Sequence, residues 1–66
     1  MTITVNGEAC ELADGTTVAV LLRVRGAREQ GSAVAVDGEV VPRGDWSRVV
    51  LHHGQTVELV HAVQGG

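Results

Sequence analysis

Two tight-turn dipeptides, Asn6-Gly7 and Asp37-Gly38, each lie between short apolar runs and commit this chain to a pair of β-hairpins. Asn-Gly and Asp-Gly are the pairs that best tolerate the positive φ angles of a two-residue hairpin loop. Before the first turn, Met1, Ile3 and Val5 alternate with Thr2 and Thr4, the period of a half-buried strand. Residues 8–12 return from that turn, with Cys10 and Leu12 on the same face. Around the second turn, Ala33-Val34-Ala35-Val36 reads as a buried strand and Glu39-Val40-Val41 as its short partner. Pro42 has no amide donor and ends that pairing.

Between the hairpins the apolar period changes. Val18, Leu21 and Leu22 stand at helical i, i+3, i+4 spacing, with Thr17 placed to cap the helix and Gly26 to stop it. Arg23 and Arg25 lie where cations suit the helix dipole. Valines at 18, 20 and 24 are mediocre helix formers, so packing rather than propensity must sustain this element. Residues 26–32 are small and polar and read as a loop. After the second hairpin a single helical turn is expected from Asp45 to Arg48, then a turn at His52-His53-Gly54. From Thr56 to Ala62, Val57, Leu59 and His61 alternate with Glu58 and Val60 in a last strand.

This order sets the first and last strands in parallel, and a right-handed crossover lays the helix across one face of the sheet. The expected fold class is therefore α+β: a β-grasp, or ubiquitin-like, domain over residues 1–62. It has a mixed sheet of four or five strands, one main helix and a short helical turn. Residues 63–66 are expected to form a flexible arm beyond it.

Composition narrows the function. A chain of 66 residues buries only about 60% of its unfolded surface, which leaves little room for a deep enzymatic pocket. No Ser-His-Asp or Cys-His arrangement stands at recognisable spacing and no P-loop glycine pattern is present, so the chain does not read as an enzyme. His52 and His53 are adjacent and would point to opposite faces of an extended chain, so no metal site is expected. A net charge of -3 and a lone aromatic residue, Trp46, exclude a nucleic-acid surface of the usual kind. No apolar run approaches the roughly 20 residues of a membrane span, and the N-terminus has no signal-peptide pattern. Cys10 is the only cysteine and reads as a small, half-buried hydrophobe. The expectation is a cytoplasmic protein, monomeric when free.

The run Val34-Ala35-Val36-Asp37-Gly38-Glu39-Val40-Val41-Pro42-Arg43, with Trp46 following after two intervening residues, closely resembles the ThiS family of bacterial thiamine-biosynthesis sulfur carriers. Asn6-Gly7, Asp14-Gly15-Thr16-Thr17-Val18, Leu21-Leu22, Gly54 and the terminal Gly65-Gly66 extend the resemblance over essentially the whole chain. Val20 and Gln55 depart from the family pattern at positions that concern helix and turn energetics. The resemblance implies that Gly66 is the point of sulfur attachment: a ThiF-type adenylyltransferase activates its carboxylate with ATP and magnesium. A sulfur donor protein then converts it to a thiocarboxylate, which a ThiG-type thiazole synthase consumes. On this reading the chain itself binds no cofactor, and Val63, Gln64 and Gly65 thread a tunnel in the partner.

Three other positions bear on docking. Val60 and Ala62, with Thr4, are expected on the sheet face away from the helix, where an apolar patch would receive a partner. Trp46 either joins that docking surface or covers the core beside the helical turn. His61, just before the arm, has a structural role or faces the partner. Two alternatives remain at this stage. The same chemistry would serve molybdopterin, cysteine or tRNA thiolation, and a ubiquitin-like module would bind partners without covalent cargo.

Overall fold

Both hairpins form at their dipeptides. In the computed structural model, which describes residues 1–61, Asn6 and Gly7 have φ of 49° and 83°, and Asp37 and Gly38 have 50° and 84°. Two consecutive positive φ angles define the turn whose twist matches that of its flanking strands. The first turn joins β1 (Thr2–Val5) to β2 (Glu8–Glu11), and the second joins β3 (Ser32–Val36) to β4 (Glu39–Val41). Helix α1 (Val18–Val24) lies between the hairpins, and β5 (Thr56–His61) closes the described chain. The strands make one mixed five-stranded sheet in the order β2-β1-β5-β3-β4. β1 and β5 run parallel at its centre, with Thr4 opposite Thr56 and Val5 opposite Val57.

One face of the sheet carries the core. Ile3, Val5, Val34, Val36, Val41, Val57 and Leu59 alternate onto it, and Val18, Leu21 and Leu22 of α1 pack with them. The helix ends as its sequence dictates. The Thr17 side chain accepts from the Val20 amide at 3.3 Å, satisfying one of the donors that a helix start leaves unpaired. At the other end Gly26, with φ of 71°, reverses the chain. Its amide donates to the Arg23 carbonyl at 3.0 Å and that of Ala27 to the Leu22 carbonyl at 2.9 Å, the two bonds of a Schellman cap.

The helical turn after the second hairpin differs from its expected place. It is a 3-10 turn at Arg43–Asp45, starting two residues earlier than Asp45. Pro42 has φ of -58°, already close to helical, and its carbonyl accepts from the Asp45 amide at 2.8 Å. The proline that ends β4 thus also begins the turn. Bonds from the Arg48 and Val49 amides to the Asp45 carbonyl carry the chain on. Trp46 faces inward as a result: it is 4% exposed, and its indole N–H donates to the Val41 carbonyl at 2.9 Å. Of the two roles read for Trp46, covering the core is the one its burial fits. Val50 then makes an isolated bridge to Thr17, tying the start of α1 to the segment that enters β5.

Trp46→Phe should lower unfolding free energy by about 1–3 kcal/mol, since it strands a buried carbonyl and removes contact area. Thr17→Ala should cost about 1 kcal/mol through loss of the cap. Urea denaturation followed by circular dichroism measures both.

Candidate functional site

The strand alternation that fills the core leaves the opposite sheet face open. Pairing registers place its residues: Ala33 lies opposite Val60, Ala35 opposite Glu58 and Val40, and Thr4 opposite Ala9 and Thr56. Val40 and Val60 are 75% and 60% exposed, the first and third most open of the large apolar side chains described. Ala33 is exposed beside Val60, and Ala35 is half-buried between the two valines. Together they form an apolar patch across β4, β3 and β5. The charged groups on this face are Glu58 and Glu11, and the Glu11 carboxylate accepts from the Thr2 hydroxyl. All five arginines lie outside the strands, at positions 23, 25, 28, 43 and 48. The open face therefore carries an apolar patch with Glu58 beside it on the central strand and Glu11 on the edge strand β2.

The patch adjoins the last described residues of β5. On the β3 side, main-chain pairing continues to Ser32 opposite His61, and the Ser32 hydroxyl lies 3.2 Å from His61 Nδ1. On the β1 side the Asn6 side chain meets the Leu59 backbone. Its Nδ2 donates to the Leu59 carbonyl at 3.1 Å, and its Oδ1 accepts from the Leu59 amide at 2.8 Å. Val60 thus sits on a strand held from both sides. Ala62, read from the sequence as a docking position, Val63, Gln64 and Gly65, read as the tunnel-threading tail, and Gly66, read as the sulfur-bearing residue, lie outside the described residues.

At the turn before β5, the His53 ring ties back to β1 and the His52 backbone is held by Gln55. His53 Nδ1 accepts from the Thr2 amide at 3.0 Å, and the His52 amide donates to Gln55 Oε1 at 2.8 Å. Among the described residues no three His, Cys, Asp or Glu side chains gather to hold a metal. On the helix side, a groove of about 390 Å³ lies between α1 and the 3-10 turn, floored by Leu22 and Trp46 and rimmed by Arg23, Arg43 and Glu29. Ser47 and Glu29 both line the groove, but among the described residues no hydrogen bond joins the Ser47 hydroxyl to a base.

Two parts of this surface escaped the sequence reading. Ala33, Ala35 and Val40 join Val60 only through strand register, which no local pattern specifies. Asn6 was legible as a turn residue, and nothing in the sequence signals that its amide would reach β5.

The whole chain has counterparts among known proteins. The ThiS family model matches residues 3–66. The chain is 33% identical to the sulfur carrier protein ThiS of Escherichia coli over the full length of both. It is also 38% identical, over all of its own length, to a stretch making up 20% of a thiazole synthase from Magnetococcus marinus. Among solved structures, the crystal structure of the thiamine biosynthesis protein ThiS from Geobacter metallireducens superposes with a TM-score of 0.83 at 29% identity, covering both chains completely. The solution structure of a thiamine biosynthesis protein from the same organism also gives 0.83 at 29% identity, over all of this chain and 88% of that one. With its β-grasp sheet, single helix and 3-10 turn, this chain belongs to the ThiS family, the non-enzymatic sulfur carrier proteins of thiamine biosynthesis.

Proposed function

We propose that this protein carries sulfur as a thiocarboxylate on Gly66, with residues 1–62 as the docking body and residues 63–66 as the delivery arm. The observation that carries the reading is the family match, which runs through residue 66 and so includes the two terminal glycines. A carboxylate resists substitution because its oxygen is a poor leaving group. A ThiF-type adenylyltransferase overcomes this: one carboxylate oxygen attacks the α-phosphorus of its magnesium-bound ATP and pyrophosphate departs. Sulfur, supplied at the sulfide level by a donor protein, then attacks the acyl carbon and AMP leaves. The net change at Gly66 is the exchange of one oxygen for sulfur. A ThiG-type thiazole synthase takes the sulfur, and the carboxylate is restored. The stretch similar to this chain within a thiazole synthase supports that partnership.

The arm's composition suits this chemistry. Gly65 and Gly66 have no Cβ atoms, so they pass a narrow tunnel and leave the reacting carbonyl unobstructed. Residues 63–66, fully extended, reach about 13 Å at roughly 3.3 Å each, enough to enter a partner's active site while the body stays outside. Val63 and Gln64 lead the arm in, and Val60 and Ala62 seat the body through the apolar face. In this scheme ATP and magnesium belong to the adenylyltransferase.

Incubation with a ThiF-type adenylyltransferase, magnesium, ATP and a sulfide source tests the proposal, read by intact mass. A gain of one O-to-S exchange confined to the C-terminal residue is the expected product. Gly66→Ala should slow its formation, and deletion of Gly66 should abolish it; an undiminished thiocarboxylate yield from the shortened chain would overturn the reading. Val60→Asp should weaken binding to the adenylyltransferase severalfold, measured by calorimetry. Its unfolding free energy should change by no more than about 1 kcal/mol, because the side chain is largely in solvent.

A further inference from the structure

The paired bonds between Asn6 and Leu59 occupy a position in the sheet where main-chain pairing should already have failed. In a parallel ladder a residue donates its amide to one neighbour across the gap and accepts, through its carbonyl, from the amide two residues further on. Asn6 makes the first of these bonds in the ordinary way, its amide donating to the Val57 carbonyl at 2.9 Å. The second would run from the Leu59 amide to the Asn6 carbonyl. At φ of 49° the backbone of Asn6 is turning into the first hairpin, and the side chain takes over. Its Oδ1 receives the Leu59 amide at 2.8 Å, and its Nδ2 also engages the Leu59 carbonyl at 3.1 Å. A carboxamide presents the same donor and acceptor as a peptide group, so β1 is lengthened by a side chain.

The consequence falls on β5. Without this bridge the last turn of β5 would be held from the β3 side alone, by the pairing of Ala33 and Ser32 with Val60 and His61. A strand secured along one edge swings about that edge. We propose that Asn6 is a positioning residue for sulfur loading: by fixing Leu59 on the β1 side it sets the direction in which the chain leaves the body toward Gly66. This rests on the carrier function proposed above. The turn alone does not require the amide, because glycine adopts the same positive φ without strain.

That difference supplies the experiment. Asn6→Gly keeps the turn and removes both bonds to Leu59. Asn6→Asp keeps the turn and the acceptor but sets a carboxylate oxygen against the Leu59 carbonyl. Initial rates of thiocarboxylate formation by a ThiF-type adenylyltransferase, with magnesium, ATP and sulfide, are measured against carrier concentration for the wild type and both variants. Docking through the sheet face is intact in the variants, whereas productive entry of the arm is rarer. The expected result is a kcat lowered about tenfold with KM within about twofold of wild type. Amide exchange should quicken at Leu59 and stay unchanged at Val57.

A purely structural role gives a different pattern. A smaller folded fraction dilutes competent carrier and raises apparent KM at constant kcat, and that result, or wild-type kinetics in both variants, overturns the proposal. Should Asn6→Gly not fold, Asn6→Asp alone decides on the same two parameters. A wild-type chain that gains no sulfur overturns the carrier function and this proposal together. Sulfur gain by wild type with unaltered kcat in the variants removes the positioning role only.

Discussion

The parallel pairing of β1 with β5 is the contact on which the rest of the molecule depends. It joins residues 52 positions apart, Thr4 with Thr56 and Val5 with Val57, and every other element lies in the chain between them. Closing a long loop costs only slightly more than closing a shorter one, because the entropy grows with the logarithm of length. The return is large: Val5 and Val57, opposite each other in this pairing, are fully buried at the centre of the core. Once they meet, β2 and β3 have edges to pair with and α1 has a surface to cover. Sheet formation here is a non-local event, which favours slower folding than a helical chain of the same size.

The pairing also divides the sheet into two faces with separate tasks. A short chain has few apolar residues, and nearly all the larger ones turn to the helix side. The exceptions on the sheet's open face are Val40 and Val60, joined by Ala33 and Ala35. Such a patch contributes little to stability in the free protein, and it adjoins the last described residues of β5.

Legibility in the sequence followed the range of the interaction. Asn6-Gly7 and Asp37-Gly38 specify their turns within two residues, and Thr17, Leu21 and Gly26 specify a helix within ten. The parallel pairing of the first and last strands followed from connectivity and handedness, which are general rules. Pro42 was ambiguous, because a residue that stops a strand is also one that starts a helical turn, and the 3-10 turn begins earlier than Asp45 for that reason. Trp46 had two readings until the turn aimed it at the Val41 carbonyl. The patch around Val60 needed strand register, and the Asn6 amide needed the position of β5, so neither was within reach of local pattern. Gly65 and Gly66 carried meaning through family resemblance, since two glycines at a terminus have no specific signature of their own.

The edges of the sheet have a consequence of a different kind. A protein that displays an open apolar face beside exposed strands is at risk of stacking into polymers with copies of itself. Here the outer strands are short, four residues in β2 and three in β4. Glutamates at 8 and 11 bracket the first, so a second copy arriving there meets like charge. Pro42 terminates the second, and the 3-10 turn bends the chain inward directly after it. Neither border offers a run of free amides and carbonyls long enough to template growth. Short, charged and proline-ended borders therefore disfavour edge-to-edge pairing between copies.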